Sequence, residues 1–183
     1  ISWKSAIQSV KNKKNVIIFI APRIKDNYKI LKKCLIGKNY IFTEKPISTN
    51  SKELNNLKKF NHRIFVGYNR LFYKSIIHLK KHLTNPSSVI VKFTEKKIKN
   101  ILTNSIHIFS IIFFLFGNLK IKFRSVSKNS KILYTVGKNG TPIYFVFSKN
   151  YPETFSIDIN DKKKRYILKP IEYLKAYNKI HKK

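Results

Sequence analysis

Ile41-Phe42-Thr43-Glu44-Lys45-Pro46 is a short apolar run that stops at an acid, a lysine and a proline. Proline offers no N–H to a sheet ladder and keeps the residue before it out of helical geometry. Pro46 therefore ends a strand and fixes Lys45 at its tip. Ligands of open α/β sheets bind beyond the carboxyl ends of the strands, so a lysine held there is a candidate for chemistry.

The surrounding segments supply the rest of such a sheet. Upstream, Val16-Ile17-Ile18-Phe19-Ile20 is an unbroken apolar run, which predicts a strand covered on both faces, closed by Ala21-Pro22. Asp26 is placed to cap a helix with Ile30, Leu31, Cys34 and Leu35 on one face and Gly37 as its stop. Downstream, Asn50 and Glu53 have the spacing of a capping box, for a helix carrying Leu54, Leu57 and Phe60. Ile64-Phe65-Val66-Gly67-Tyr68 reads as a third strand. Strand, helix, strand, helix, strand at this spacing predicts right-handed crossovers and a parallel sheet, half of a doubly wound domain.

The pattern changes after Tyr68. Residues 71–83 predict a helix with Phe72, Ile76, Leu79 and Leu83 on one stripe, and residues 89–93 a strand. An apolar helix over 105–116 ends at Gly117, and alternating strands dominate from Ile121 onward. Residues 132–136 and 143–147 flank Gly137-Lys138-Asn139-Gly140, while 155–159 and 165–168 flank a second turn. Both pairs read as antiparallel hairpins, and Pro170 opens a last helix bearing Ile171, Leu174 and Ile180. The fold class is therefore α/β followed by α+β: a parallel-sheet domain over residues 1–67, then a mainly antiparallel sheet with flanking helices over 68–183.

The formal charge of +31 on 183 residues first suggests a nucleic-acid partner. Lys, Asn, Ile, Phe and Tyr make up more than half of the chain, a profile that A/T-rich codons produce whatever the function. The lysines are also spread through every segment, where a phosphate-binding face would gather them with arginine. They read as solvated side chains. Cys34 is the only cysteine, so no intrachain disulfide forms, which fits a reducing, cytoplasmic compartment. The apolar run at 106–116 is too short for a membrane span and contains His107 and Ser110, so no membrane association is expected. His78 and His82 stand four apart on a helix without a third ligand, and His62 and His181 are isolated, so no metal site is expected. The chain has no methionine and opens in mid-pattern, which predicts a missing true start.

Together, residues 16–37, Glu44-Lys45-Pro46, Val66-Gly67-Tyr68-Asn69-Arg70 and the stretch from Ser105-Ile106-His107 to Leu115-Phe116-Gly117 resemble the Gfo/Idh/MocA oxidoreductases. The tail Tyr166-Ile167-Leu168-Lys169-Pro170-Ile171-Glu172-Tyr173-Leu174 is similar to the closing segment of members from surface-polysaccharide pathways. The resemblance implies a Rossmann domain for NAD or NADP, then an α+β domain, and a sugar or nucleotide-sugar substrate. Ala21, Pro22, Glu44, Lys45 and Pro46 are implied to border the cofactor, with Glu44 facing either the nicotinamide ribose or Lys45. Asn69, Arg70, Thr103 and Asn104 are implied on the substrate side, Arg70 serving equally as a structural ion-pair partner. Lys45 and His107 are the implied catalytic pair. The open sheet of the second domain, by analogy, pairs two copies into a homo-oligomer.

The chemistry follows from the residue types. Oxidation of a secondary alcohol sends a hydride to the nicotinamide and a proton to a base. Burial and a neighbouring positive ring both disfavour an ammonium, which would let Lys45 hold the hydroxyl and pass its proton. A neutral His107 accepts a proton in the same way. This chain departs from the family pattern at Thr103 and Ser110, which stand where members carry aspartates, so the imidazole loses a charged orienter. The connection over 93–100 is also short. Two alternatives remain open: a charge-driven nucleic-acid binder, and a relative that has lost catalysis and acts as a subunit.

The family's glycine-rich phosphate loop has no counterpart here. No Gly-x-Gly-x-x-Gly occurs among only five glycines, so the loop is expected upstream of Ile1. The 183-residue chain should therefore bind NAD(P)H poorly or not at all in a fluorescence titration. Micromolar affinity would overturn this expectation.

Overall fold

The structure, a computed structural model, describes residues 3–10, 13, 15–35, 37–95, 98–149, 151, 154–162 and 164–169. The chain divides into two compact units, Ile1–Tyr68 and Asn69–Lys183. The helix predicted from Pro170 lies outside the described residues.

In the first unit, α1 (Trp3–Val10), β1 (Ile17–Ile20), α2 (Ile24–Cys34), β2 (Tyr40–Thr43), α3 (Ser51–Leu57) and β3 (Ile64–Val66) follow in order. The strands form a parallel sheet in the order β1-β2-β3. Ile18, Ile20, Ile41 and Ile64 pack with Ile7 of α1, Leu31 and Cys34 of α2 and Leu57 of α3. All three helices thus cover one face. Burial pushes the Cys34 thiol above its ordinary range, so it packs as a neutral, inert side chain.

The other face corrects the expectation of a doubly covered β1. Ile17 is 58% and Phe19 74% exposed, and Tyr40, Phe42 and Phe65 are exposed beside them. With every described helix on one side, Ile17 and Phe19 of β1 are left open to solvent. The local helix signals also need adjustment. Arg23, not Asp26, holds the cap position of α2; Asp26 lies in the first turn and pairs with Arg23 at 3.3 Å. The helix ends at Cys34, short of Gly37. Asn50 does cap α3, accepting from the Lys52 amide at 2.9 Å, but Glu53 takes the Ser48 hydroxyl and does not close the capping box. Beyond Leu57 the helix tightens to a 3-10 turn over Lys58–Arg63, which takes Phe60 out of the predicted stripe; within α3 itself Leu57 is buried and Leu54 is exposed.

The second unit holds α4 (Lys74–His82), β4 (Pro86–Phe93), α5 (Ile106–Phe116), β5 (Lys120–Val126), β6 (Ser130–Val136), β7 (Pro142–Ser148), β8 (Phe155–Asp161) and β9 (Arg165–Leu168). They form a six-stranded sheet, β5-β6-β7-β4-β8-β9, antiparallel except where β4 meets β7. The fold class is thus a Rossmann-type parallel sheet followed by a mainly antiparallel sheet with helices. Both predicted hairpins are present. Val89, Val91 and Phe93 of β4, Ile143, Phe145 and Phe147 of β7, and Ile157 and Ile159 of β8 form one inner face against Ile108, Ile111, Ile112 and Leu115 of α5 and Ile76 and Leu79 of α4. Phe72 does not join the predicted stripe. It falls in a 3-10 turn over Asn69–Phe72, before α4 begins, and is 75% exposed.

The end of α5 is fixed from several sides. Gly117 takes φ +72, a conformation that favours glycine, and its N–H donates to the Phe113 carbonyl at 2.8 Å. The Lys80 ammonium donates to the Leu115 carbonyl at 3.0 Å, a cation at the negative end of the helix. Gly137 meets the Phe116 backbone so closely that a Cβ would sit 3.2 Å from the Phe116 oxygen.

Asp161 ties the start of β4 to the end of β8. Its carboxylate accepts from the N–H groups of Thr84 at 2.9 Å and Asn85 at 3.0 Å, and from the Thr84 hydroxyl at 3.2 Å. These bonds, the Thr84 amide first, hold its pKa below the ordinary carboxylate value. The stability this gives is fully present above the unfolded-state pKa and is lost as pH falls through the lower folded-state value. Urea midpoints should therefore show Asp161→Asn weaker than the parent at neutral pH. The difference should close as the solution becomes acidic, and a gap constant across that range would contradict the assignment.

Candidate functional site

Because the first sheet is parallel, its three strands deliver their carboxyl ends to one edge. The ladder runs one residue past β2 and β3: the Glu44 N–H donates to the Ile20 carbonyl at 3.2 Å, and the Gly67 N–H to the Thr43 carbonyl at 2.8 Å. Ala21-Pro22, Glu44-Lys45-Pro46 and Gly67-Tyr68 therefore line this edge together. Ala21 and Glu44 are exposed, Pro22 and Lys45 half-buried, and Pro46 buried. The Lys45–Pro46 bond is cis. Burial raises the Tyr68 hydroxyl above its usual range, keeping it protonated near neutrality.

Sequence reasoning missed the residue that organises this edge. Asn27 of α2 is 1% exposed. Its amide donates to the Glu44 carbonyl at 2.8 Å and the Pro46 carbonyl at 3.0 Å, while its oxygen accepts from the Thr43 hydroxyl at 2.9 Å. Within an amphipathic helix an asparagine reads as a solvent-facing residue, and no local spacing betrays this contact.

In the second unit, His107 is the second residue of α5 and 7% exposed. Thr103 donates its hydroxyl to the Asn100 carbonyl at 3.2 Å, and Ser110 donates to the His107 carbonyl at 2.7 Å. Both hydroxyls are bonded to nearby backbone. A carboxylate does stand at the head of α5, from a residue not singled out by motif: Glu95 accepts from Ser105 at 2.7 Å and from Asn104 at 3.3 Å. The positive end of the helix dipole favours a negative charge there. Its only sequence signal is that an acid, scarce in this chain, stands two residues beyond the last residue of β4. Asn69 is exposed and Arg70 half-buried, both in the 3-10 turn that opens this unit. Among the described residues no cluster of His, Cys, Asp or Glu could hold a metal, and no helix is long and apolar enough to cross a membrane.

No family profile and no curated protein matches the chain. Solved structures do. A dehydrogenase (MviM) from Clostridium difficile superposes with a TM-score of 0.73 at 16% identity, over 93% of this chain and 61% of that one. The chain shares its fold with that protein. Myo-inositol dehydrogenase from Lactobacillus casei, in complex with NAD(H) and myo-inositol, matches with a TM-score of 0.67 at 16% identity, over 88% and 57%. The WlbA (WbpB) dehydrogenase from Thermus thermophilus, in complex with NAD and UDP-GlcNAcA, matches with a TM-score of 0.64 at 14% identity, over 97% and 69%. A super-repressor mutant of Gal80p from Saccharomyces cerevisiae shares the fold, with a TM-score of 0.68 at 12% identity, over 92% and 58%. The chain spans about three-fifths of the length of the MviM dehydrogenase.

At the shared edge Pro22, Glu44, Lys45 and Pro46 stand together, a lysine and an acid beside the carboxyl ends of the strands. A pyrophosphate needs a helix amino terminus approached through glycine. The described helices of this unit begin at Trp3, Ile24 and Ser51, and none of them follows a glycine turn.

Proposed function

We propose that this chain serves an NAD(P)-dependent oxidoreductase of the Gfo/Idh/MocA type, acting on a hydroxyl or ketone of a sugar or nucleotide sugar in surface-polysaccharide metabolism in the cytoplasm. The observation that carries this reading is the carboxyl edge of the parallel sheet: Lys45 stands there between two carbonyls pinned from α2, on a fold shared with dehydrogenases crystallised with NAD. Ala21, Pro22, Glu44, Lys45 and Pro46 are the residues that would border the nicotinamide end. Bound there, the nicotinamide supplies the hydride chemistry and the protein supplies the proton path.

In the oxidative direction the Lys45 amine, in its neutral form, accepts a hydrogen bond from the substrate hydroxyl and takes its proton as the carbonyl forms. In reduction the ammonium returns it. His107, at the head of α5, is the alternative candidate for the proton-accepting role, with Glu95 supplying the negative charge that Thr103 cannot. Asn69, Arg70 and Asn104 offer amide and guanidinium donors suited to sugar hydroxyls or a phosphate. A homo-oligomer through the open face of the six-stranded sheet belongs to this reading as well. The dispersed lysines still give the nucleic-acid alternative no defined basic face.

The Gal80p super-repressor shares this fold, and on that ground the second reading is a relative that has lost catalysis and acts as a regulatory subunit. One comparison separates the two. In the complete polypeptide, assayed by nicotinamide absorbance with sugar and nucleotide-sugar substrates, Lys45→Ala and His107→Ala should each lower kcat by about 10²–10⁴-fold, the usual worth of a general acid–base group. Full turnover in Lys45→Ala would remove the proposed relay. Absence of any turnover, with NAD(P)H still bound, would favour the regulatory reading.

A further inference from the structure

We propose that Asn27 is the positioning residue for Lys45, a role that rests on the reading of Lys45 as the proton carrier. The argument begins with the supply of hydrogen bonds. The carbonyls of Glu44 and Pro46 leave the sheet ladder on either side of Lys45 and point into the α2 side of the unit. A carboxamide has two N–H donors, and Asn27 directs them at these two oxygens, at 2.8 and 3.0 Å. Its own oxygen is held by the Thr43 hydroxyl at 2.9 Å, and this bond distinguishes the amide's two ends and fixes its orientation. Asn27 is 1% and Thr43 0% exposed, so water does not compete for these groups.

Lysine has four rotatable side-chain bonds, so the direction of its Cα–Cβ bond sets the region its amine can reach. The Glu44 carbonyl belongs to the peptide plane that enters Lys45 and the Pro46 carbonyl to the plane beyond the Lys45–Pro46 bond, so fixing both restricts the direction in which the Lys45 Cβ leaves the backbone. Asn27 thus acts through Lys45 and touches no reacting atom. Thr43 completes the arrangement by orienting the amide: Thr43→Val removes the orienting bond and leaves the donors, whereas Thr43→Ser keeps the hydroxyl.

The test reads Lys45 directly in the 183-residue chain and needs no substrate. Amines are labelled briefly with trinitrobenzenesulfonate and each site is quantified by mass spectrometry, with thermal midpoints recorded for every variant. Asn27→Ala, which removes both donated bonds, should speed labelling of half-buried Lys45 by about fivefold or more, while Lys38 and Lys52 of the same unit keep their rates. Thr43→Val should change Lys45 less and in the same direction, and Thr43→Ser should label as the parent does. The proposal falls if folded Asn27→Ala labels Lys45 at the parental rate. It also falls if Lys38 and Lys52 speed up equally, since a loosened unit would do that. Should Asn27→Ala not fold, Thr43→Val decides: an unchanged Lys45 rate overturns the proposal. Full turnover in Lys45→Ala would instead sink the proton-carrier reading and leave these labelling outcomes standing.

Discussion

A strand that ends inside a protein leaves its last carbonyls without ladder partners, and a buried carbonyl without a donor is costly. At the end of β2 that need is met by one side chain. Asn27 supplies two donors to the carbonyls of Glu44 and Pro46 and one acceptor to Thr43, a match of three groups to three. Leucine would fill the space and satisfy none of them. The shape of the edge that presents Lys45 therefore depends on a residue in α2, brought there by the right-handed crossover from β1 to β2.

This dependence marks the limit of what the residues alone disclose. The alternation of strands and helices, the stop at Pro46, the cap at Asn50 and the end of α5 at Gly117 are local events, and local composition reports them. The partnership of Asn27 with Glu44 and Pro46 arises only when a helix packs on a sheet. Glu95 is hidden for the same reason: it reaches Ser105 and Asn104 across the 3-10 turn over Ile98–Leu102, with no motif spacing to mark it. Phe72 and Leu54 fail in the opposite way. Each falls on an apolar stripe drawn from the sequence; Phe72 lies in a 3-10 turn where the helical period does not hold, and Leu54 lies in α3, exposed where Leu57 is buried.

The first sheet shows how an apolar run can mislead about cover. An unbroken hydrophobic strand has the composition of a buried one, yet every helix of this unit lies on the same side. The opposite face organises itself: the rings of Phe19 and Phe42 lie 5.4 Å apart, and those of Tyr40 and Phe65 6.3 Å. Cross-strand aromatic pairs stabilise a sheet without a second layer, though much of their surface still meets solvent.

Charge follows a similar logic of position over quantity. With Lys and Arg totalling 39 against 8 acids, nearly any carboxylate could find a cation. Several acids bind neutral groups instead. Asp161 takes the amides of Thr84 and Asn85, Glu53 takes Ser48, and Glu95 takes Ser105 and Asn104. A carboxylate held by fixed neutral donors keeps its geometry when salt screens the solvent-exposed charges, whereas a surface ion pair does not. The excess of lysine is thus a diffuse background field. The specific electrostatics at the head of α5, where His107 is buried, come from the few negative side chains that the fold holds in place.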